Sequence, residues 1–248
     1  NQIWFNTATL RKREEISQWH FLRKPKLQKH FHPITLQGKE TQFEVQNNVW
    51  LAPLAGVTDL PFRLVCKNSP YSPGLVFSEM ISAKGVHYKG NNSLALADSD
   101  AKEAPLSVQI FGSEPDIMAE CAAIFRDRGV SLIDINMGCS FALQVRRQHG
   151  AGLLPHPDKV AALAKCMEKW PEISFSVKMR LGWESKEEWK AVLDILNDTA
   201  LSRITLHPRL GCEQYREPAD TEQFALFYEA CRHPLVYNGD LINIKGMA

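Results

Sequence analysis

No stretch of this 248-residue chain runs to about 18 consecutive apolar positions, so the sequence offers no candidate transmembrane helix. Its first residues carry neither an apolar core segment nor a small-residue cleavage site, so no secretory signal is expected. The six cysteines, at 66, 121, 139, 166, 212 and 231, form no Cys-x-x-Cys pair and have no histidine at zinc spacing. That argues against a disulfide framework and against a structural zinc site. Scattered thiols of this kind fit a reducing compartment, so the expected location is the cytoplasm. Strong net charge is missing too: the formal value is +1, and the chain as a whole lacks the footprint of an obvious nucleic-acid binder.

What charge there is falls unevenly. Residues 1–32 hold seven basic residues, Arg11, Lys12, Arg13, Arg23, Lys24, Lys26 and Lys29, against Glu14 and Glu15. A basic arm on a mildly acidic body suits phosphate contact, and equally suits a solvated leader. Elsewhere 44% hydrophobic and 23% charged residues are ordinary for a globular chain with a real core, and an α/β barrel commonly fills this length as one domain.

From residue 34 the pattern becomes regular. A hairpin is expected from Ile34–Leu36 and Phe43–Val45 about a turn at Gly38. Seven short apolar strands follow, at Val49–Pro53, Leu75–Ser78, Leu106–Phe111, Leu132–Asn136, Ile173–Met179, Ile204–His207 and Leu235–Asn238. Amphipathic helices alternate with them, which is the signature of a parallel β/α architecture. Ser113 is read as the cap of one helix, with Pro115 in its first turn and Gly129 ending it. Ser185 with Glu188, and Asp220 with Gln223, are read as capping boxes. The expectation is a (β/α)8 TIM barrel. Seven strands are predicted where eight are needed, and the chain stops at Ala248, where a seventh helix should begin. It therefore reads as a barrel truncated after the seventh strand, a piece of a longer protein. Residues 1–33 would form a basic N-terminal extension and residues 34–248 the barrel domain.

Polar side chains recur where these strands end. They are Glu79, Gln109, Asn136 with Cys139, Lys178 with Arg180, His207 with Arg209, and Asn238 with Asp240. In a parallel barrel these positions share one face, where chemistry collects. Any one of them is explained by a satisfied structural polar group; together they read as a ligand site. Asn238-Gly239-Asp240 fits a backbone phosphate cradle, or a plain Asn-Gly turn. Lys178 in a barrel mouth calls for an anionic partner, the alternative being a surface lysine at a strand terminus.

Five collinear motifs resemble the tRNA-dihydrouridine synthases. They are Leu51-Ala-Pro-Leu-Ala-Gly-Val-Thr-Asp59, Val108-Gln-Ile-Phe-Gly112, and Asp134-Ile-Asn-Met-Gly-Cys139 with Gly150-Ala-Gly-Leu-Leu154. Ser176-Val-Lys-Met-Arg-Leu-Gly182 and Asn238-Gly-Asp240 complete the set. The resemblance implies a flavin-binding catalytic domain that uses FMN and NADPH to reduce uridine in tRNA to 5,6-dihydrouridine. It implies FMN contacts from Pro53, Leu54, Ala55, Gln109, Lys178, His207, Asn238, Gly239 and Asp240. Asn136 would place flavin or substrate. Cys139 would be the proton donor, a thiol being mostly protonated at neutral pH. Ser140 and Phe141 depart from the family's usual Pro and Lys, and Arg146 and Arg147, with Arg180, are candidate substrate contacts in their place. The alternative is another FMN barrel acting on a small molecule, of the dihydroorotate dehydrogenase or ene-reductase type.

Overall fold

The computed structural model describes residues 2–3 and 32–241. Strands β1 (Gln2–Ile3), β4 (Trp50–Leu51), β5 (Leu75–Ser82), β6 (Leu106–Phe111), β7 (Leu132–Met137), β8 (Ser174–Gly182), β9 (Arg203–Leu210) and β10 (Leu235–Tyr237) form one curled, all-parallel sheet. Its order is β1-β10-β9-β8-β7-β6-β5-β4. A separate antiparallel hairpin joins β2 (Ile34–Gln37) to β3 (Gln42–Val45). The helices are α1 (Leu60–Lys67), α2 (Ala83–His87), α3 (Asn91–Ala95), α4 (Pro115–Arg126), α5 (Ala142–Arg146), α6 (Pro157–Met167), α7 (Glu188–Asn197) and α8 (Thr221–Ala230). The architecture is the TIM-barrel type expected from the strand–helix alternation, and all seven predicted strands are present. An eighth segment that the pattern did not reveal, Gln2–Ile3, pairs with Val236 and Tyr237 on the far side of β10. The rest of the basic arm, from residue 4 to residue 31, lies outside the described residues.

Several strands run past their expected ends. β5 continues to Ser82 through a register shift, β8 to Gly182 and β9 to Leu210. Polar residues that looked terminal are therefore inside strands, where alternation sends every second side chain to the same face. The helices close the outside. Phe125 of α4, Val160 and Leu163 of α6, Val192 and Leu196 of α7 and Phe227 of α8 are fully or almost fully buried in one core with the strands. At the other end, Leu36 and Val45 of the hairpin pack with Trp50, Leu75, Phe77 and Leu132 from the beginnings of their strands. The hairpin thus covers the N-terminal mouth and leaves the C-terminal mouth open.

The caps follow simple chemistry, but each expected cap needs a correction. Asp220 accepts from the Gln223 amide at 3.0 Å, which is half of the expected box; Gln223 Oε1 accepts from Trp189 Nε1 instead, and Asp220 N donates to Pro208 O. The α7 box is also half formed: the Glu188 carboxylate accepts from Ser185 N, but the Ser185 hydroxyl accepts from Glu187 N, and the cap position is Glu187, which no side chain caps. For α4 the cap position is Glu114 rather than Ser113, and no side chain caps it. Pro115 at the first turn needs no partner for an amide hydrogen it lacks, so the cap is dispensable there. Gly129, at φ +84°, follows the last turn of α4 as expected.

One buried ion pair ties the first loop to the outside of the barrel. Arg63 on α1 meets Glu103 through Nε at 2.6 Å and Nη2 at 3.0 Å, and it also donates to the carbonyls of Thr58 and Asp98. Thr58 Oγ1 in turn accepts from Leu54 N at 3.0 Å. Both charges are almost wholly buried, so losing one leaves the other stranded. Glu103→Ala is expected to lower stability by about 3–5 kcal/mol, read from the midpoint of denaturant unfolding; a loss below about 1 kcal/mol contradicts this account.

Candidate functional site

Strand register brings the predicted polar residues to one end of the fold. Gln109 pairs with Asp134, Asn136 with Lys178, and Arg180 with His207, on adjacent strands. They open onto a cleft of about 550 Å³, within the usual range for small-molecule sites. Pro53, Leu54, Ala55, Gln109, Asn136, Cys139, Lys178, Arg180 and His207 all line it. The cleft also takes in Met80, Gly138, Ser140, Phe141, Gln214 and Tyr215.

The floor is a directed chain of hydrogen bonds. Asp134 is completely buried, and its carboxylate accepts from Ser176 Oγ at 2.5 Å and Gln109 Nε2 at 2.7 Å. Gln109 Oε1 is left to accept from Asn136 Nδ2 at 2.9 Å. Asn136 Oδ1 then accepts from the backbone N–H groups of Gly138 (3.1 Å) and Cys139 (2.9 Å). The loop carrying Cys139 is thereby folded back onto the strand that precedes it. Its outer side is closed by Gly150, at φ +58°, where a Cβ would stand 2.6 Å from the Cys139 carbonyl oxygen and 2.8 Å from its Cβ. The glycine that opens the Gly150–Leu154 motif is needed for that approach. The Ala151 amide completes the contact, donating to Cys139 O at 3.0 Å. The thiol itself is partly exposed and forms no hydrogen bond among the described residues.

The cations of the cleft are held differently from one another. Arg180 donates from Nε to Gly138 O (3.1 Å) and from Nη1 to Leu210 O and Gln214 O (both 2.8 Å). Its guanidinium also stands 5.4 Å from the ring of Tyr215. It therefore braces two loops through Nε and Nη1, and Nη2 takes no part in those three bonds. Lys178 has no hydrogen bond or ion pair among the described residues. Burial, with the nearby Arg180 charge, brings its ammonium down to about 8, partly offset by Asp134 and Cys139. His207 is pushed down to about 2 by burial and by Lys178, Arg180 and Arg209. Its ring is neutral at any ordinary pH, and Nε2 accepts from Arg209 Nη1 at 2.8 Å, which leaves the proton on Nδ1.

Arg209, read in the sequence only as one of the strand-end polar residues, is a hub. Besides His207 it grips both oxygens of Asp240, at 2.5 and 2.6 Å, and the carbonyl of Glu217. Asp240 also accepts from Ala219 N at 2.8 Å. Asn238, Gly239 and Asp240 are outside the cleft lining, but a Cβ on Gly239 would stand 2.9 Å from the His207 ring, so that turn backs directly onto the wall. Arg146 and Arg147 lie at the end of α5, exposed and beyond the lining, with no ion pair among the described residues. Tyr215 and Gln214, the latter at φ +56°, were missed. They sit in an irregular turn after β9, and nothing in the strand–helix pattern marks them. Among the described residues no cluster of three or more metal-ligating side chains occurs, and no helix is long and apolar enough to cross a membrane.

The dihydrouridine synthase family model matches residues 50–248, which is the whole sheet from β4 onward together with every residue of the cleft. The chain belongs to the dihydrouridine synthase family. It is 34% identical over 204 residues to a "Probable tRNA-dihydrouridine synthase" of Rickettsia bellii, a match covering 81% of this chain and 61% of that protein. It is 33% identical over 206 residues to a tRNA-dihydrouridine synthase B of Pasteurella multocida, covering 82% and 61%. The chain thus spans about three fifths of the length of these curated relatives. In fold it resembles a solved structure of a morphinone reductase mutant in complex with tetrahydroNAD, with a TM-score of 0.55, 12% identity, and coverage of 88% and 82%. That likeness speaks to the barrel alone. Family membership covers the strands that build the cleft and leaves the role of each residue to be argued from geometry.

Two outcomes follow from this geometry. A lysine lowered in the fold binds fewer protons than its unfolded counterpart between about pH 8 and its ordinary value near 10.4. Stability should therefore rise with pH across that interval, and Lys178→Met should flatten the rise; identical pH–stability curves for the two proteins rule this out. Gly150→Ala should cost about 1–3 kcal/mol in strain. It should also change the alkylation rate of Cys139 by iodoacetamide, and an unaltered rate shows that Gly150 does not set the thiol's position.

Proposed function

We propose that the full-length protein reduces uridine in tRNA to 5,6-dihydrouridine, with FMN in this cleft and NADPH as reductant. The observation that carries the reading is the junction, in one cleft, of a free thiol on a hydrogen-bonded loop and an unpartnered ammonium on the neighbouring strand.

The residues present suit a flavin. The pyrimidine end of an isoalloxazine offers carbonyl oxygens and ring nitrogens, and it carries negative charge when reduced. Lys178 supplies a cation with no hydrogen bond or ion pair among the described residues. Gln109 keeps a second amide N–H beyond the one spent in the floor network, while the second N–H of Asn136 faces only the weak acceptor Met80 Sδ at 3.8 Å. The Pro53–Ala55 backbone, held through Thr58 and Arg63, supplies a flat wall. For the phosphate, the Asn238–Asp240 turn contributes backbone, because the Asp240 carboxylate is committed to Arg209. When bound, the flavin supplies the hydride that goes to C6 of the base.

The chain's own part is to bring a proton to C5 and to hold the base. Cys139 Sγ carries the proton. The loop held by Asn136 and Gly150 fixes where that proton is delivered, and Arg180, spent on backbone carbonyls, leaves the thiol unpaired. A direct ion pair favours a thiolate, which has no proton to give, and none is made to Cys139 among the described residues. The balance is one hydride and one proton added across C5=C6, with the thiolate reprotonated from solvent. His207, neutral with its proton on Nδ1, serves as a hydrogen-bond donor without adding a fourth positive charge beside Lys178, Arg180 and Arg209.

Cys139→Ala in the full-length protein should remain folded and yellow, while dihydrouridine formed in unmodified tRNA falls by about 10²- to 10⁴-fold. Mass spectrometry of the tRNA reads this directly. Dihydrouridine formed at the parental rate would remove Cys139 from the chemistry. If orotate or an enone, rather than unmodified tRNA, speeds reoxidation of the reduced protein, the tRNA reading gives way to a small-molecule reductase.

A further inference from the structure

Two large rings stand open at the lips of the cleft. Phe141 is 63% exposed and Tyr215 62% exposed, yet both line the same cleft as Cys139 and Lys178. An apolar ring left in water beside a catalytic cleft needs a reason. Neither sits on a loose loop. Phe141 is the residue that opens α5, and its carbonyl accepts from Gln144 N at 2.9 Å and Val145 N at 3.1 Å. Tyr215 lies against the Arg180 guanidinium at 5.4 Å and the His207 ring at 6.0 Å. Arg180 is itself pinned by three carbonyls. Each lip also carries exposed arginine: Arg146 and Arg147 follow Phe141 on α5, and Arg216 follows Tyr215. Arg146 and Arg147 make no ion pair among the described residues, and Arg216 donates only to the carbonyls of Glu213 and Cys212.

Exposed rings with arginines near them in sequence, one after β7 and one after β9, at the lining of one cleft, match the chemistry of unpaired nucleotides. Bases stack on the rings and phosphates meet the guanidiniums. We propose that Phe141 and Tyr215 are stacking platforms for the unpaired bases that flank the target uridine. The substrate segment would then be a single-stranded loop presented with its neighbouring bases splayed, not a paired stem. This deepens the tRNA reading above and rests on it. The guanidinium behind Tyr215 is positive, so it favours an electron-rich ring in front of it and helps hold that ring in place.

The test uses the full-length protein and separates π-stacking from plain apolar contact. Phe141→Ala and Tyr215→Ala should each raise KM for unmodified tRNA by about 5- to 100-fold, with a smaller change in kcat, since stacking is worth roughly 1–3 kcal/mol per base. Phe141→Trp should restore the parental KM, and Phe141→Leu, of similar apolar bulk, should not. A second readout is independent of turnover. Titration of a loop RNA carrying 2-aminopurine next to the target uridine should quench its fluorescence with the parent protein, and with Phe141→Trp, but not with Phe141→Leu. Leu working as well as Trp, or an unchanged KM in both alanine variants, overturns the proposal. If the parent quenches the probe yet forms no dihydrouridine, the stacking stands and the assigned reaction falls.

Discussion

A carboxylate can accept hydrogen bonds and cannot donate them, and the geometry of this cleft depends on that. Asp134, buried at the floor, turns the NH2 of Gln109 toward itself. The Gln109 oxygen must then face Asn136, and the Asn136 oxygen must face the amides of Gly138 and Cys139. An amide has two ends of similar shape, and nothing in its size decides which way it lies; the acceptor-only group at the base of the chain decides it. Burial pushes the Asp134 carboxyl up, and the Arg203 charge together with the Ser176 and Gln109 donors pulls against that rise. The barrel interior below the cleft is polar for the same purpose. Ser78 Oγ accepts from the Gln109 amide at 2.9 Å, and Arg203 reaches Ser107 and Ser202 while lying 5.3 Å from the Trp50 and Phe77 rings.

The second organising fact is crowding of positive charge. Burial keeps His207 neutral, and Lys178, Arg180 and Arg209, which converge on it, push the same way. Two of the three are already answered, Arg209 by Asp240 and Arg180 by carbonyl dipoles. Among the described residues Lys178 has no hydrogen bond or ion pair of its own. A cation in that condition is poised for an anionic ligand, because the cost of burying it has already been met by the fold.

Much of this could be read before any coordinates. Alternating apolar strands and amphipathic helices specify the barrel because the period of the pattern is local. The Asn136–Cys139 motif marks the chemical loop because both ends of its key hydrogen bond lie within four residues. What escaped is what depends on distance. Arg209 and Asp240 both mark strand ends, but they are 31 positions apart and nothing local shows that they pair. Arg180 had the profile of a substrate ligand, and only the folded chain reveals that its donors end on Gly138, Leu210 and Gln214. Strand ends were placed short at β5, β8 and β9 because polar residues in a barrel mouth imitate strand termini. Tyr215 sits in a turn with no periodicity to expose it. The Gln2–Ile3 strand was hidden for a related reason: two residues are too few to show alternation.

The Arg63–Glu103 pair has a reach that its position on the flank conceals. Through Thr58 it governs the slack of the Leu54 backbone, and through the Asp98 carbonyl it ties that backbone to the stretch between α3 and β6. Residues 96–104 meet no ligand in the cleft, yet the stiffness of one of its walls originates there. A change in that outer stretch would accordingly be felt as slack in the Pro53–Ala55 wall, at a distance from every residue that lines the cleft.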